Sequence, residues 1–404
     1  MPSFDSGDDF VWIGGPSEGL GLLIVLFDYL ARKIGLSHNS ADPNRCREIA
    51  EHLVRRDENE VEDEHGQRVS DVFREADFIV NTDLKEVSSE TQIARFVDLV
   101  FGSNSISPTK SEYGVYAAKT ASLRSIDLSR QVGAAIFSLA GEIITLGANE
   151  VPKADGGTYW CDDSQDNRDF CRGEDSSDRR KRELFAELAP IIAPACDPES
   201  LLKDNRIRNS QFMDVLEYGR TIHAEMSAIS DAARLGRALK GTILFCTTFP
   251  CHMCAKHIVA AGISEVIYLE PYPKSLAGEL HGDSVEIEGQ SRGEFGSFSS
   301  CRFRHFYGVS PRRYTDFFEK KRKRKDEKGR FLPWRFDRPQ PMVEVKYPAY
   351  LALETHIISG ILQPALEKAG VPLDVFSNRR LRARKGARPA KIQSAKPKTR
   401  RKSR

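Results

Sequence analysis

The chain has 404 residues, 40% of them hydrophobic, with 60 Lys and Arg against 58 Asp and Glu, which is enough for one large core or two moderate ones. No stretch approaches the roughly 20 apolar residues that cross a bilayer, and Met1 to Phe10 carries three Asp and no basic residue, so the expectation is a cytoplasmic protein with neither membrane span nor signal peptide. Residues 379–404 hold 13 Lys and Arg and no acid, leaving 47 basic against 58 acidic residues in the body, a net of −11; that sign argues against a main surface that tracks a phosphate backbone, although the tail by itself can touch nucleic acid.

Val11 to Leu36 reads as a short apolar piece, a turn rich in glycine (Gly14, Gly15, Gly19, Gly21) and an apolar helix over Leu22 to Ile34. A charged stretch follows between His38 and Gly66, then a short strand at Phe78 to Val80 and an amphipathic helix carrying Ile93, Phe96, Val97 and Val100. A boundary is expected near Gly102. Pro108 and Ser111 then punctuate the start of a helix through Tyr116 and Leu123, with Ser111 as its expected N-cap. Val132 to Phe137 and Ile143 to Leu146 form a hairpin about Leu139-Ala140-Gly141. Residues 150–220 are weakly periodic and too long for a plain connection, so a lid, a substrate loop or a small helical insertion is expected there. Regular alternation resumes as helix (His223 to Leu235), strand (Thr242 to Cys246), helix (Cys251 to Ala261) and strand (Glu265 to Leu269), the pattern of right-handed crossovers and a sheet covered by helices. Beyond Tyr272 the pattern turns irregular. It passes the basic run Lys320 to Lys325 and an apolar helix, Leu351 to Leu366, that is expected to dock on the body, before the basic tail.

The chemistry concentrates in two places. His223-Ala224-Glu225 is followed, after 24 intervening residues, by Pro250-Cys251-His252-Met253-Cys254, the H-x-E then P-C-x-x-C signature of zinc deaminases. One imidazole (His223) and two thiolates (Cys251, Cys254) leave a tetrahedral Zn2+ with an open fourth position, as in a catalytic site. Cys251 and Cys254 share the first turn of a helix, whose N-terminus favours their thiolate forms. Two thiolates offset the metal's charge and acidify water less than three imidazoles do, so a base is needed, and Glu225 beside the ligands is that base. His252 and His257 read as surface or supporting residues. Cys161 and Cys171 lack a Cys-x-x-Cys partner or a nearby His; they read as free thiols, with a second metal pair as the alternative.

SLRSIDLSRQVGAAIFSLAGEIITLGANEVP from Ser122, HAEMSAI from His223 and TTFPCHMCAKHIVAAGISEVIY from Thr247 together resemble the deoxycytidylate deaminases. GANEVP, EPYPKS at Glu270 to Ser275 and the insertion containing RDFCRGEDS look most like the bacterial anti-phage dCTP deaminases, in which a P-loop, kinase-like region precedes the deaminase. The resemblance spans about Phe101 to Ser275. It implies a three-layer α/β/α cytidine deaminase-like domain with a mixed sheet, over residues 102–290 with the insertion 150–220. A degenerate or truncated P-loop-like α/β region (1–101) precedes it; a C-terminal extension (291–378) and a disordered tail (379–404) follow. Gly14 to Gly19 has P-loop spacing, but Leu20 and Gly21 stand where Lys and Ser/Thr belong, so no phosphoryl transfer is expected.

By the same resemblance Asn149 matches the Asn that contacts deoxyribose, and Arg124 an Arg near the nucleotide phosphate, with Arg130 and Lys153 as further phosphate candidates; a turn Asn and a surface Arg are the bland alternatives. The implied function is hydrolytic deamination of dCTP or dCMP, draining dCTP during phage infection, by a homo-oligomer under control of a regulatory nucleotide, RNA or protein. A housekeeping dCMP deaminase, a polynucleotide cytidine deaminase and a non-catalytic nucleotide-binding module follow in that order. The acidic body and GANEVP count against the polynucleotide reading, and the intact Glu225 against the non-catalytic one.

Overall fold

The computed structural model describes residues 22–25, 75–82 and 87–334 except positions 209, 216 and 273, together with Pro341 and Lys368. The P-loop-like turn, the helix expected over Leu351 to Leu366 and the basic tail lie outside the described residues. Met1–Val345 forms one compact unit and Lys346–Arg404 a second. No helix among the described residues is long and apolar enough to cross a membrane.

Two sheets organise the first unit. The smaller one orders β1 (Leu22–Val25), β2 (Phe78–Asn81) and β9 (Gly308–Val309), with β1 and β2 parallel and β9 antiparallel to β2. Leu22–Val25 is therefore a strand, where the sequence reading placed the start of a helix. A short apolar run does not distinguish the two by periodicity, and pairing with β2 decides it. Helix α1 (Ser89–Val100) buries Phe96, Leu99 and Val100 against Phe78, Val80 and Val309, while Val97, expected on this face, is 44% exposed.

The larger sheet has the order β4-β3-β5-β6-β8-β7, from β3 (Gly133–Phe137), β4 (Ile143–Ala148), β5 (Ile243–Thr248), β6 (Glu265–Glu270), β7 (Val285–Ile287) and β8 (Cys301–His305). β3 runs antiparallel to β4 and β5, whereas β5, β6, β8 and β7 are mutually parallel. The stretch beyond Tyr272, expected to be irregular, thus supplies two strands of the main sheet. Strands of three to five residues, such as Cys301–His305, set in Gly/Ser-rich sequence are too short for their alternation to stand out.

Because strand side chains alternate between faces, β5 sends Leu244 and Cys246 to one side and Phe245 to the other. The first side packs on α4 (Ala224–Arg234) and α5 (His252–Ala260) through Ala224, Ala228, Ala255 and Ile258. The second packs on α2 (Lys110–Ser122) through Val115, Ala117 and Ala118. A mixed sheet covered by helices on both faces is the three-layer α/β/α arrangement the sequence implied. Helix α2 starts at Thr109, not Ser111: Thr109 and Glu112 form a reciprocal capping box, and Ser111 lies inside the first turn. Glu112 also accepts from Arg95 of α1 at 2.6 and 2.7 Å and from the Val309 backbone at 2.8 Å. Contacts therefore run across the boundary expected at Gly102.

Alanine-rich helix faces let α4 lie close to the sheet. A Cβ added to Gly147 of β4 would stand 2.1 Å from the Ala224 carbonyl oxygen, so only glycine fits there. Between Glu150 and Arg220 the chain forms a helical insertion, its longest element α3 (Ser176–Ile192), with short turns of helix at Asp169–Arg172, Pro198–Leu201 and Asn205–Arg208. Its two ends meet: Glu150 and Ile222 exchange backbone hydrogen bonds at 3.3 and 3.1 Å.

Candidate active site and metal centre

Two helix N-termini converge on one spot beyond the C-terminal end of β5. His223 is the N-cap of α4 and Cys251 the N-cap of α5, each with extended backbone, and their carbonyls accept the first helical bonds from Ser227 and Ala255 at 2.8 and 2.9 Å. The ligand-bearing backbone is therefore fixed by the helices themselves. The loop before α5 is further held by Ser275 Oγ, which donates to the Pro250 carbonyl at 2.8 Å.

His223 Nδ1 lies 3.4 Å from both Cys251 Sγ and Cys254 Sγ, and the three donor atoms fall within 4.8 Å of one another. Donors at Zn–S of about 2.3 Å and Zn–N of about 2.0 Å in a tetrahedron stand about 3.5 Å apart, so the observed spacing suits zinc. This is the one such group of His, Cys and acidic ligands among the described residues. Cys161 and Cys171, the alternative second pair, are both exposed and outside it.

The electrostatics of the cluster are those of ligands awaiting a cation. The Cys251 thiol is lowered to about 4, chiefly by its hydrogen bond with Cys254 and then by His223. Cys254 is pushed up by that same bond and by burial, and His223 is raised to about 9 by Cys251. Two thiols and an imidazole, which give up their protons to a metal, are a donor set suited to zinc. Glu225, 4% exposed in the first turn of α4, accepts a hydrogen bond from Cys254 Sγ at 3.5 Å, and burial raises its carboxyl. Its depth sets it apart from a surface acid.

The remaining candidates lie outside the ligand group. Asn149 is buried and pins the loop before β3, donating from Nδ2 to the Arg130 carbonyl at 2.8 Å and accepting at Oδ1 from the Val132 N–H at 2.7 Å. One donor and one lone pair of its amide stay uncommitted in these contacts. Arg130 places its guanidinium 5.5 Å from the Tyr272 ring. Lys153 is engaged in a 2.6 Å ion pair with Asp163. Arg124 Nη2 donates to Thr158 Oγ1 at 2.7 Å and to the Tyr159 carbonyl at 3.1 Å, and its guanidinium carbon lies 3.5 Å from the Trp160 ring centroid. His252 and His257 are half-buried and outside the ligand set.

Sequence reasoning missed Glu150, Thr158, Trp160 and Arg168. Glu150 is 1% exposed; its carboxylate accepts from the backbone N–H groups of Ile126 and Val151 and faces Arg168 at 3.4 Å. Arg168 also forks onto Asp166. These residues come together only through the insertion's return to Ile222, and no local pattern announces that.

Residues 108–270 match the family model described as the cytidine and deoxycytidylate deaminase zinc-binding region. The chain is 32% identical over 152 residues to the deoxycytidylate deaminase of Enterobacteria phage T4, a match covering 37% of this chain and 72% of that one. It is 27% identical over 158 residues to the Mus musculus deoxycytidylate deaminase, covering 39% and 63%, and 40% identical over 87 residues to a probable deoxycytidylate deaminase of Drosophila melanogaster, covering 20% and 42%. Among solved structures, the apo dCMP deaminase of cyanophage S-TIM5 aligns over 50% of this chain and 100% of that one at 16% identity and a TM-score of 0.28.

The histidine-and-two-cysteine centre, with a carboxylate beside it, defines a zinc-binding deaminase site. The chain belongs to the deoxycytidylate deaminase family.

Proposed function

We propose that this chain hydrolyses the exocyclic amine of deoxycytidine nucleotides, giving the deoxyuridine form and ammonia. The observation that carries the reading is the approach of the buried Glu225 carboxylate to a His223, Cys251 and Cys254 cluster spaced for zinc. When bound, zinc supplies the Lewis acidity that makes water nucleophilic near neutral pH. His223, Cys251 and Cys254 would hold it. Glu225 takes one proton from the attacking water and passes it to the ring nitrogen beside C4. It then takes the second proton from the new C4 hydroxyl and delivers it to the exocyclic amino group as the C4–N bond breaks, so that ammonia leaves and the C4 carbonyl forms. The closely packed alanines of α4 keep that carboxylate in place.

Asn149, at the wall next to the Glu150–Ile222 bridge, is assigned to the deoxyribose. Arg124 is assigned to the substrate phosphate: its Nε is buried without a hydrogen-bond partner, and a bound anion would satisfy it. Arg130 and Lys153 are assigned as secondary phosphate contacts. The relatives bear the name deoxycytidylate deaminase, which supports dCMP as substrate; the dCTP-draining anti-phage role rests on the resemblance carried by GANEVP, EPYPKS and the insertion. We assign assembly into a homo-oligomer and restraint by a nucleotide, RNA or protein at the non-catalytic regions on the same footing.

The test is ammonia release from dCMP, dCTP, CTP, deoxycytidine and single-stranded DNA by the zinc-loaded protein. Turnover of a deoxycytidine nucleotide over CTP and DNA is expected. Activity confined to single-stranded DNA, or none with any substrate at full zinc occupancy, would overturn the reading.

A further inference from the structure

Arg124 is a half-buried guanidinium held by three neutral groups: the Thr158 hydroxyl, the Tyr159 carbonyl and the face of Trp160. The acids around it, Glu150, Asp231 and Asp163, act on it through space, and burial outweighs them in lowering its affinity for its proton. Each of those acids has an engagement of its own: Glu150 with backbone N–H groups and Arg168, Asp231 with Arg234 at 2.8 Å, and Asp163 with Lys153 and the Trp160 N–H. A buried cation short of an opposing charge, with an orphaned N–H, is a seat for an anion.

All three neutral supports come from the start of the insertion. The turn that presents them is rigid: Asp155, Gly156 and Gly157 take left-handed backbone conformations, Lys153 and Gly157 pair across it, and Asp163 accepts from the Trp160 N–H at 2.7 Å while bonding Lys153 at 2.6 Å. Trp160 is 51% exposed, so its own burial does not account for its place. Stacked 3.5 Å over the guanidinium carbon, the indole covers one face of the fork and directs its N–H edges sideways.

We infer that Trp160 is a specificity-determining positioning residue, setting the preference for phosphorylated over unphosphorylated substrate by holding the Arg124 guanidinium in plane. The inference rests on the proposed assignment of Arg124 to the phosphate. In a chain whose Trp160 is lost, Arg124 keeps its charge but samples several rotamers, and phosphate binding then carries the cost of ordering it. The zinc ligands His223, Cys251 and Cys254 do not include the indole.

The experiment compares the full chain with Trp160→Ala, Trp160→Phe and Arg124→Ala, all zinc-loaded. The readout is calorimetric binding of dUMP against deoxyuridine, the ligand pair that needs no turnover, together with KM and kcat for dCMP. The parent is expected to prefer dUMP. Trp160→Ala should reduce that preference about tenfold, acting on KM more than kcat, and Trp160→Phe should restore most of it because a ring still covers the fork. Arg124→Ala should erase the preference, and zinc content should match the parent throughout. If Arg124→Ala erases the preference while Trp160→Ala leaves it intact, the inference fails and the phosphate assignment stands. If Trp160→Ala weakens dUMP and deoxyuridine equally, Trp160 is structural and the inference fails. A parent without preference overturns both.

Discussion

The metal centre and the insertion are neighbours held by opposite means. Around the centre, α4 and α5 bury small apolar side chains against β3 and β5, and the ligands sit on helix caps whose backbone bonds are already made. In the insertion, α3 buries only Ser176 and Ala189 along its 17 residues. What holds that segment in place is polar: Arg168 between Glu150 and Asp166, Arg220 on Asp169 at 2.7 Å, and Lys153 on Asp163. Close packing fixes the ligand cluster and Glu225, and a few charged anchors fix the insertion. Damage to the first should cost chemistry or fold, whereas damage to the second should cost local order.

The sharpest way to break that division is at Glu225. Glu225→Gln should lower kcat by about a hundredfold to ten-thousandfold while zinc stays bound, since the ligands are untouched and only the proton transfer is lost. Cys254→Ser should lose the metal as well. Elemental analysis beside ammonia release separates the two, and a zinc-free Glu225→Gln protein would contradict the role given to Glu225.

On the insertion side, Arg168→Met should strand the buried Glu150 carboxylate, a change of about 3 kcal/mol felt locally. Proteases should then cut within 150–220 while residues of the sheet stay protected. Uniform loss of protection over the whole chain would show that the insertion is part of the cooperative core. Gly147→Ala tests the opposite side: its methyl would meet the Ala224 carbonyl, and overpacking should cost about 1–3 kcal/mol, read as a lower Tm together with weaker zinc retention as α4 shifts.

The smallest effect is in acid. Arg168 holds the Asp166 carboxyl at about 2, below the value of about 3.9 for an unfolded Asp. The contribution of that pair is therefore complete above about pH 4 and is lost as pH falls through about 2. Protease resistance of the insertion should be flat from pH 8 to 5, and Asp166→Asn should remove the fall below pH 4. A fall near pH 6 would mean that some other group closes the insertion.

How much of this was open to reading follows from distance along the chain. His223, Glu225, Cys251 and Cys254 announce themselves because their chemistry lies in two short segments, each opening a helix. The alternation of β5, α5 and β6 was equally plain. The strand at Leu22–Val25 was not, since its identity depends on β2 more than 50 residues on and four apolar residues suit either structure. β7 and β8 are too short to alternate visibly, and Thr109 was overlooked as a cap because its partner Glu112 lies beyond Ser111. Arg124 was singled out by motif, but its dependence on Trp160 exists only once the insertion folds back. Asn149 shows the same limit: the motif names it, and only the coordinates reveal that it also ties down the Arg130 to Val132 loop.

The pairing of Glu150 with Ile222 makes the insertion an excursion that leaves and re-enters the domain through one doorway. Closing such a loop costs about 0.6 kcal/mol more for each doubling of its length, so the number of residues between these two positions is nearly free to vary. What is not free is the handful of side chains that reach back from it, Thr158, Trp160 and Arg168. A chain with this doorway can lengthen, shorten or replace the segment beyond it at little cost in closure entropy while the sheet and the three ligands keep their places.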